Sequence, residues 1–416
     1  MKREMIDVLI VGAGPAGISA ALELKKLGVK HVVVAEREAE AGGIPRLCHH
    51  TGFGIRDLYK IYSGPRYAEY YVKEAQKNKI DIRTKTTITD WEDKTQLKYT
   101  SPQGAGIFEA KAVLLATGVR ERPRTARLVS GSRPRGIFTT GSLQRFVYEK
   151  NIPVGKRALI VGAELVSLSA FTTLKHAGVE VVGMTTKLSQ HQMIFPFNIA
   201  KWGLMDFLSQ APLYTSAELQ EIIGRKRVES VKIYRADTDK TTSIECDTIV
   251  FTGNWIPEHE IARLGEIEID GGTLGPQVDA HFRTSRRGVF AAGNLLHGAE
   301  TADISALEGR SAASHIKNFL ETSHWTPDSL PIMTEAPLSW VFPNNIARKD
   351  AVSIGQLSFR VGEVLKKSTI KVYQGSRLLE TQTFRKLLPG NTYKLNARWM
   401  PDIEFDAPAP KIVIES

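Results

Sequence analysis

The sequence predicts an α/β chain built from two strand–turn–helix–strand units, followed by a small all-β sandwich. Three observations predict this fold class: a glycine-rich turn between an apolar strand and a helix near the N-terminus, a second copy of that pattern in mid-chain, and short alternating apolar runs near the C-terminus. The 416 residues, of which 42% are hydrophobic and 24% charged, are enough for two or three domains.

The first unit begins with an apolar strand at 6–11, and a glycine turn at 12–17 leads from it into a helix at 18–27. A second strand at 31–35 ends at Glu36, the spacing at which an acid accepts hydrogen bonds from ribose hydroxyls. Strand, turn, helix, strand and acid together favour a Rossmann-like dinucleotide-binding unit over a turn with a purely structural role.

The three glycines of this turn have separate roles. Gly12 permits the tight turn, Gly14 lets the backbone approach a diphosphate, and Gly17 lets the helix pack closely on the strand. The bare amides and the dipole at the start of the helix then attract the phosphates.

Three later motifs favour FAD as the dinucleotide. Gly42-Gly43 follows Glu36 by a short loop, and two apolar strands end in Ala116-Thr117-Gly118 and in Gly293-Asn294. They resemble the GG, ATG and GD motifs of the glutathione-reductase-like flavoproteins, where an Asp at the last position binds the ribityl chain. Asn294 keeps an acceptor oxygen at that position. The resemblance also implies a helix at 301–319 whose N-terminus faces the flavin pyrimidine.

The residues expected to bind FAD are Gly12, Gly14, Pro15, Ala16, Gly17, Glu36, Arg37, Gly42, Gly43, Ala116, Thr117, Gly118, Gly293, Asn294, Thr301 and Ala302.

The second unit repeats the pattern over 157–184 with a damaged turn. Glu164 stands where the second glycine belongs, and Ser167 replaces the third. A side chain at position 164 blocks the approach of a pyrophosphate, and its carboxylate repels one. No acid ends the second strand, although Lys187 leaves an opening for NADPH. We therefore expect weak or no NAD(P)H binding.

A narrower resemblance covers about residues 5–320. These residues resemble the alpha subunits of opine oxidase, hydrogen cyanide synthase and dye-linked proline dehydrogenase. The motifs that carry the resemblance are Gly42-Gly43-Ile-Pro-Arg46, Gly64-Pro65-Arg-Tyr-Ala, Ala116-Thr-Gly-Val-Arg-Glu-Arg-Pro123, Thr139-Thr-Gly141 and Ala291-Ala-Gly-Asn-Leu-Leu296.

This resemblance implies an FAD-dependent oxidoreductase that oxidises an amine or amino-acid-like substrate, or relays its electrons. It also implies a second flavin subunit or an electron-acceptor protein as partner. Related subunits often carry or recruit a C-terminal iron–sulfur module, but this chain has no cysteine after Cys246. Two alternatives stay open: an NAD(P)H-dependent reductase that passes electrons to a protein or quinone, and a non-catalytic flavin-bound assembly subunit.

Candidate catalytic residues follow the double glycine. Arg46 or Arg56 could hold a substrate carboxylate, and His49 or His50 could act as a base. Packing around the flavin or a partner chain is the alternative role of these side chains. Cys48 lies where disulfide reductases place a redox pair, but without a nearby second cysteine it is either a single reactive thiol or a buried inert one.

Composition argues against several other kinds of site. The two cysteines are too few for a disulfide framework or a cysteine-ligated metal site, and we predict no metal. The formal charge of +10 comes without a dense basic block, so nucleic acid is not an expected partner. No stretch approaches a membrane-spanning length, and we expect a cytoplasmic protein that a partner could hold at the inner face of the membrane.

The C-terminal runs predict a sandwich of the immunoglobulin or fibronectin type. A hairpin turn is expected at 374–376, and Leu388-Pro-Gly-Asn-Thr-Tyr393 resembles a tyrosine corner. A linker is expected at 321–335, and deletion of the sandwich, whose expected role is interaction or dimerisation, should leave flavin bound. The predicted domains are an FAD domain at 1–125 and 278–325, a degenerate NAD(P)-like domain at 126–277 and the sandwich at 331–416.

Overall fold

The computed structural model describes residues 2–192, 211–326, 328–348 and 355–415. The chain divides into two compact units. The first consists of Met1–Arg46, Thr51–Arg120 and Ile256–Ser416, and the second consists of Leu47–His50 and Glu121–Trp255. The helices are α1 (Pro15–Lys26), α2 (Gly64–Lys77), α3 (Thr140–Gln144), α4 (Leu165–His176), α5 (Glu260–Leu264) and α6 (Ala302–Thr322).

The first unit is built on a seven-stranded mixed sheet. Its strands lie in the order Asp81–Arg83, Val32–Ala35, Lys2–Val11, Gly104–Leu115, Gln96–Ser101 and Thr87–Asp93, with Val289–Ala291 also paired with Gly104–Leu115. Lys2–Val11 is parallel to both of its neighbours and leads directly into the glycine turn. The following helix begins at Pro15 rather than at the predicted position 18, because proline is favoured in the first turn of a helix.

The second unit contains two sheets. Its parallel sheet has the order Ile137–Thr139, Thr248–Phe251, Arg157–Val161, Glu180–Thr185 and Leu213–Tyr214. The other sheet has the order Ser130–Gly131, Ala217–Ile223, Ser230–Arg235 and Lys240–Glu245. The damaged turn at Gly162 lies between Arg157–Val161 and α4, as the intact turn lies between its own strand and α1. The short strands Val119–Glu121 and Trp255–Pro257 stand where the chain passes from one unit to the other.

The C-terminal strands form a sandwich of two sheets. One sheet has the order Met333–Thr334, Lys411–Glu415, Leu365–Gln374 and Arg377–Leu387, and the other has the order Leu338–Phe342, Gln356–Val361 and Tyr393–Asn396. Apolar side chains from both sheets, including Phe359 and Ile370, share one buried cluster. The Leu388 amide donates a 2.8 Å hydrogen bond to the Tyr393 hydroxyl, which is the contact expected of a tyrosine corner.

The expected linker at 321–335 is wrong in part. Trp325 packs edge-on against Phe290 and Phe319 of the first unit. The strand Ser329–Pro331 then pairs with Asn345–Ala347. Proline and serine suggested a loop, but an aromatic side chain and strand pairing outweigh that composition.

The predicted fold class is confirmed. Parallel sheets with helices form two Rossmann-like layers, and the C-terminal part of the chain is all β. The exact domain boundaries and the immunoglobulin or fibronectin topology of the sandwich stay predictions. A short antiparallel hairpin, Thr51–Phe53 with Tyr62–Ser63, lies between the double glycine and α2.

Candidate functional site

Residues of the predicted FAD motifs meet at the start of α1, although the sequence separates them widely. A Cβ at Gly12 would lie 2.5 Å from the carbonyl oxygen of Ala116. A Cβ at Gly43 would lie 2.9 Å from the Cα of Gly14. Backbone therefore lies against backbone at both places, and the three motifs form one turn-lined surface.

The glycine turn fits the diphosphate of FAD. A Cβ at Gly14 would meet nothing within 4 Å, and no side chain caps the first turn of α1. The free amides and the open space are what a phosphate needs at a helix N-terminus. The Glu36 carboxylate accepts hydrogen bonds from the amides of Ala13 at 2.8 Å and Glu38 at 2.9 Å. Each of its oxygens keeps a lone pair for a ribose hydroxyl.

The last motif closes on the same turn. A Cβ at Gly293 would lie 2.8 Å from the Cβ of Ala16. The Asn294 Oδ1 atom accepts hydrogen bonds from the Glu300 amide at 2.9 Å and the Ser305 hydroxyl at 3.0 Å. The acceptor expected to face the ribityl chain is thus used within the chain, which corrects the role given to that oxygen. Asn294 can offer an N–H group to the cofactor instead.

Two other predicted FAD-binding residues are held by the same glutamate. The Thr117 hydroxyl donates to the Glu258 carbonyl oxygen at 2.7 Å. Both terminal nitrogens of Arg37 donate to the Glu258 carboxylate at 3.2 Å, and this pairing raises the pKa of Arg37. Both residues lie in the first unit with the glycine turn, and their contact with FAD stays a prediction.

The four candidate catalytic residues fall in different units. Arg46 and Arg56 belong to the first unit, and His49 and His50 belong to the second. Arg46 contacts Glu40 at 2.5 Å. The His49 ring stacks on Tyr148 with centroids 3.8 Å apart, and burial lowers the pKa of His49.

Arg56 lies at the start of α6, where the resemblance places the flavin pyrimidine. Its amide donates to Asp303 at 3.0 Å, and its Nη1 atom lies 3.4 Å from both the Thr301 hydroxyl and the Asp303 carboxylate. The side chain is 56% exposed, and its Nη2 atom makes no hydrogen bond to any described residue. Arg56 can therefore receive a carboxylate from solvent.

Sequence reasoning missed the group that anchors Arg56. The neighbouring Asp57 is buried and accepts hydrogen bonds from the hydroxyls of Tyr67 at 2.7 Å and Tyr71 at 2.6 Å. Arg310 of α6 donates to the Tyr71 hydroxyl at 2.7 Å. The spacing of the two tyrosines, four residues apart on one helix face, was the available signal.

The damaged turn of the second unit is filled by its own glutamate. The Ala163 amide donates to the Glu164 carboxylate at 2.9 Å, whereas the matching Ala13 amide donates to Glu36. A Cβ at Gly253 would lie 2.7 Å from the other oxygen of Glu164. Burial raises the pKa of Glu164, despite hydrogen bonds that favour the carboxylate. Bulk rather than charge is therefore the main barrier to a phosphate.

Lys187, the residue that left an opening for NADPH, is already paired. Its ammonium group contacts the Glu218 carboxylate, and both side chains are exposed. The ion pair is exposed and therefore weak, but it competes for the charge that a 2′-phosphate would need.

Cys48 has the properties of an inert thiol. The Gln144 amide group lies 3.9 Å from its sulfur, and burial raises the pKa of Cys48 to about 12. Both cysteines are free of disulfides. The thiolate, which is the reactive form, is therefore scarce near neutral pH.

We expect iodoacetamide to modify Cys48 of the folded protein roughly 1,000-fold more slowly than a free cysteine at pH 8, since thiolate content falls tenfold per pKa unit. Peptide mass spectrometry over time measures the rate, and the urea-unfolded chain is the control. Modification of the folded protein at the rate of the unfolded chain would contradict the assignment.

The structure adds two findings about the described residues. None of their helices is long and apolar enough to cross a membrane. No group of three or more His, Cys, Asp or Glu side chains among them could hold a metal ion.

Comparison with known proteins agrees with this site. Residues 6–309 match the family model of the pyridine nucleotide-disulphide oxidoreductases. An opine oxidase subunit of Rhizobium meliloti is 27% identical over 75% of this chain, which spans 62% of that relative. Ferredoxin–NADP reductase of Ignicoccus hospitalis is 22% identical over 77% of this chain and 100% of its own length.

The solved structure of T. acidophilum thioredoxin reductase matches 76% of this chain and 98% of its own, with a TM-score of 0.63 and 21% identity. At that identity the likeness shows the fold alone. The resemblance to opine oxidase subunits is confirmed by the sequence match, and the family model covers most of the chain. The chain therefore belongs to the pyridine nucleotide-disulphide oxidoreductase family and is an FAD-dependent oxidoreductase.

Proposed function

We propose that this chain oxidises an amine or amino-acid-like substrate, or relays its electrons, as the flavin subunit of a dehydrogenase complex. The observation that carries the proposal is the Glu164 side chain in the second turn. A family member whose NAD(P) turn is filled needs another electron source. The similarity to the opine oxidase subunit supports an amine-type substrate and a multi-subunit assembly.

Each residue of the first unit has a stated role in this proposal. When bound, FAD supplies the two-electron chemistry. The amides of the first turn hold its diphosphate, and the start of α6 favours negative charge on its pyrimidine. Arg56 holds the substrate carboxylate, while Asp303 and the buried Asp57 fix the position of the Arg56 backbone.

An NAD(P)H-dependent reductase is the second candidate, and the similarity to ferredoxin–NADP reductase favours it. Glu164 and the pairing of Lys187 oppose it. A dithiol mechanism has no support, because Cys48 and Cys246 are not bonded to each other and burial raises the pKa of both.

An anaerobic reduction experiment tests the proposal. The protein, purified with its native partners, is mixed with amino acids, opines, NADH or NADPH, and loss of the visible absorbance of oxidised flavin is followed. We expect an amino acid or opine to reduce the flavin and NAD(P)H to be at least tenfold slower. Faster reduction by NADPH would support the reductase. No reduction by any of these compounds, with partner binding intact, would support a non-catalytic assembly role.

Arg56→Met tests the carboxylate site. We expect KM for the substrate to rise by about 10- to 100-fold with a smaller change in kcat, because one charge-assisted contact is lost. Arg66→Met is the matched control, since Arg66 is exposed on the adjoining segment and stacks on Tyr62. Equal KM values for the two variants would remove Arg56 from the site.

A further inference from the structure

The C-terminal sandwich contacts the segment 293–302, which contains the last FAD motif. We propose that Arg360, on the sandwich strand Gln356–Val361, is a positioning residue for this segment, so that FAD binding requires the sandwich. The inference rests on the proposed role of 293–302 in holding the flavin. It reverses the expectation that deletion of the sandwich leaves flavin bound.

Arg360 forms a buried ion pair with Glu300. Its Nη2 atom lies 2.6 Å from Glu300 Oε1, and the two side chains are only 12% and 13% exposed. The same nitrogen donates to the Ala299 carbonyl oxygen at 2.7 Å. Thr392, also in the sandwich, receives a 2.9 Å hydrogen bond from Arg360 Nε, and its hydroxyl donates to Glu300. Two sandwich side chains therefore hold one glutamate of the cofactor segment.

Glu300 in turn fixes the residue of the last FAD motif. Its amide donates to Asn294 Oδ1 at 2.9 Å, and its carbonyl oxygen accepts from Asn294 Nδ2 at 3.4 Å. The backbone of Glu300 thus sets the rotamer of Asn294. Arg360 acts on the motif through a single intervening residue.

A second chain of contacts reaches Gly293. Glu308 of α6 accepts the Gly293 amide at 3.1 Å, and its other oxygen lies 2.8 Å from His297 Nε2. Burial would lower the pKa of His297, but the Glu308 carboxylate more than offsets it and raises that pKa. The His297 ring lies against Trp340 and Phe342 of the sandwich, with centroids 6.0 and 5.0 Å away.

Both chains of contacts use the sandwich as the cover of the cofactor segment. Trp340 and Phe342 belong to the hydrophobic core of the first unit rather than to the core of the sandwich. The Arg360 guanidinium lies 5.2 Å above the Trp340 ring. A surface that only recruited a partner would not need buried charges directed at this segment.

The charge state of the pair predicts how variants behave. Burial would raise the pKa of Glu300, but the Arg360 guanidinium lowers it, so the carboxylate is ionised in the native state. Loss of one partner leaves an uncompensated buried charge, whereas loss of both removes the problem. Single variants should therefore disturb the segment more than the double variant.

The experiment is a double-variant cycle measured on FAD affinity. Arg360→Met, Glu300→Gln and the double variant are titrated with FAD, with flavin fluorescence and visible circular dichroism as readouts. We expect each single variant to weaken FAD binding by about 10- to 100-fold, and the double variant to recover at least half of that loss on a logarithmic scale. Arg348→Met is the matched control, because Arg348 is a sandwich arginine whose 2.8 Å pair with Asp406 is exposed.

Thermal melting of the apoprotein separates positioning from general stability. Arg360→Met that lowers Tm but leaves the FAD dissociation constant and the flavin spectrum unchanged would overturn the proposal. A Kd change shared by Arg348→Met would overturn it as well. No substrate enters these titrations, so failure of any amine to reduce the flavin would count against the proposed function alone.

Discussion

Gly14→Glu should abolish FAD binding while the protein stays folded. The backbone at Gly14 has φ of −83°, which any residue adopts, and a Cβ there meets no atom within 4 Å. The new side chain would enter only the space of the diphosphate, and its carboxylate would accept the neighbouring amides, as Glu164 does in the second unit. We expect a loss of about 1,000-fold, or ~4 kcal/mol, in FAD affinity.

Fluorescence titration with FAD measures this loss, and a thermal melt followed by circular dichroism reports the fold. Gly271→Glu is the matched control, because Gly271 also has no atom within 4 Å of its Cβ position and lies outside the FAD motifs. Gly17→Ala gives the opposite contrast. Its Cβ would lie 1.9 Å from the Gly12 carbonyl oxygen, so that variant should lose stability as well as FAD. A Gly14→Glu protein that stays yellow at its original affinity would contradict the assignment of the site.

The first nucleotide turn was predictable because its determinants are local. The absent side chains at Gly12 and Gly14, the helix that follows and the acid at Glu36 all lie within a short stretch of sequence. Each property follows from residue type alone, so no knowledge of the rest of the fold was needed. The sandwich was predictable for the same reason, since alternation and turn residues mark each strand.

The supports of the site were not predictable, because they depend on distant contacts. Glu300 and Arg360 are 60 residues apart and lie in different sheets or loops. Nothing in the local sequence around either residue indicates a buried ion pair. The role of the Asn294 oxygen was wrong for a related reason: its competing donor, the Glu300 amide, is recognised only once the loop is folded.

The second turn shows where residue type predicts an effect but not its cause. The sequence indicated both bulk and charge at Glu164 as barriers to a pyrophosphate. In the structure the side chain is fully enclosed by its own loop, and burial raises its pKa, which weakens the charge argument. Bulk and charge can be separated by experiment, since the two predict different outcomes for an uncharged side chain of the same size.

Glu164→Gly should give the second unit a measurable affinity for NADH or NADPH. The substitution frees the Ala163 amide and the first turn of α4, which has no other side-chain cap. Glycine is accepted at a helix N-cap at a cost of a few tenths of a kcal/mol. We expect a gain of at least tenfold in affinity, about 1.4 kcal/mol, by calorimetry. The gain is limited because Ser167 and the missing strand-end acid remain.

Glu164→Gln decides between the two causes. It keeps the volume of the side chain and removes its charge, so it should bind no better than the unchanged protein if bulk closes the turn. Binding by Glu164→Gln equal to that of Glu164→Gly would identify charge as the barrier. A folded Glu164→Gly protein without any gain would show that Glu164 is not the decisive obstacle. The electron source proposed for this chain depends on the first of these outcomes, because an NAD(P) turn closed by a single side chain explains why a member of this family would draw electrons from an amine.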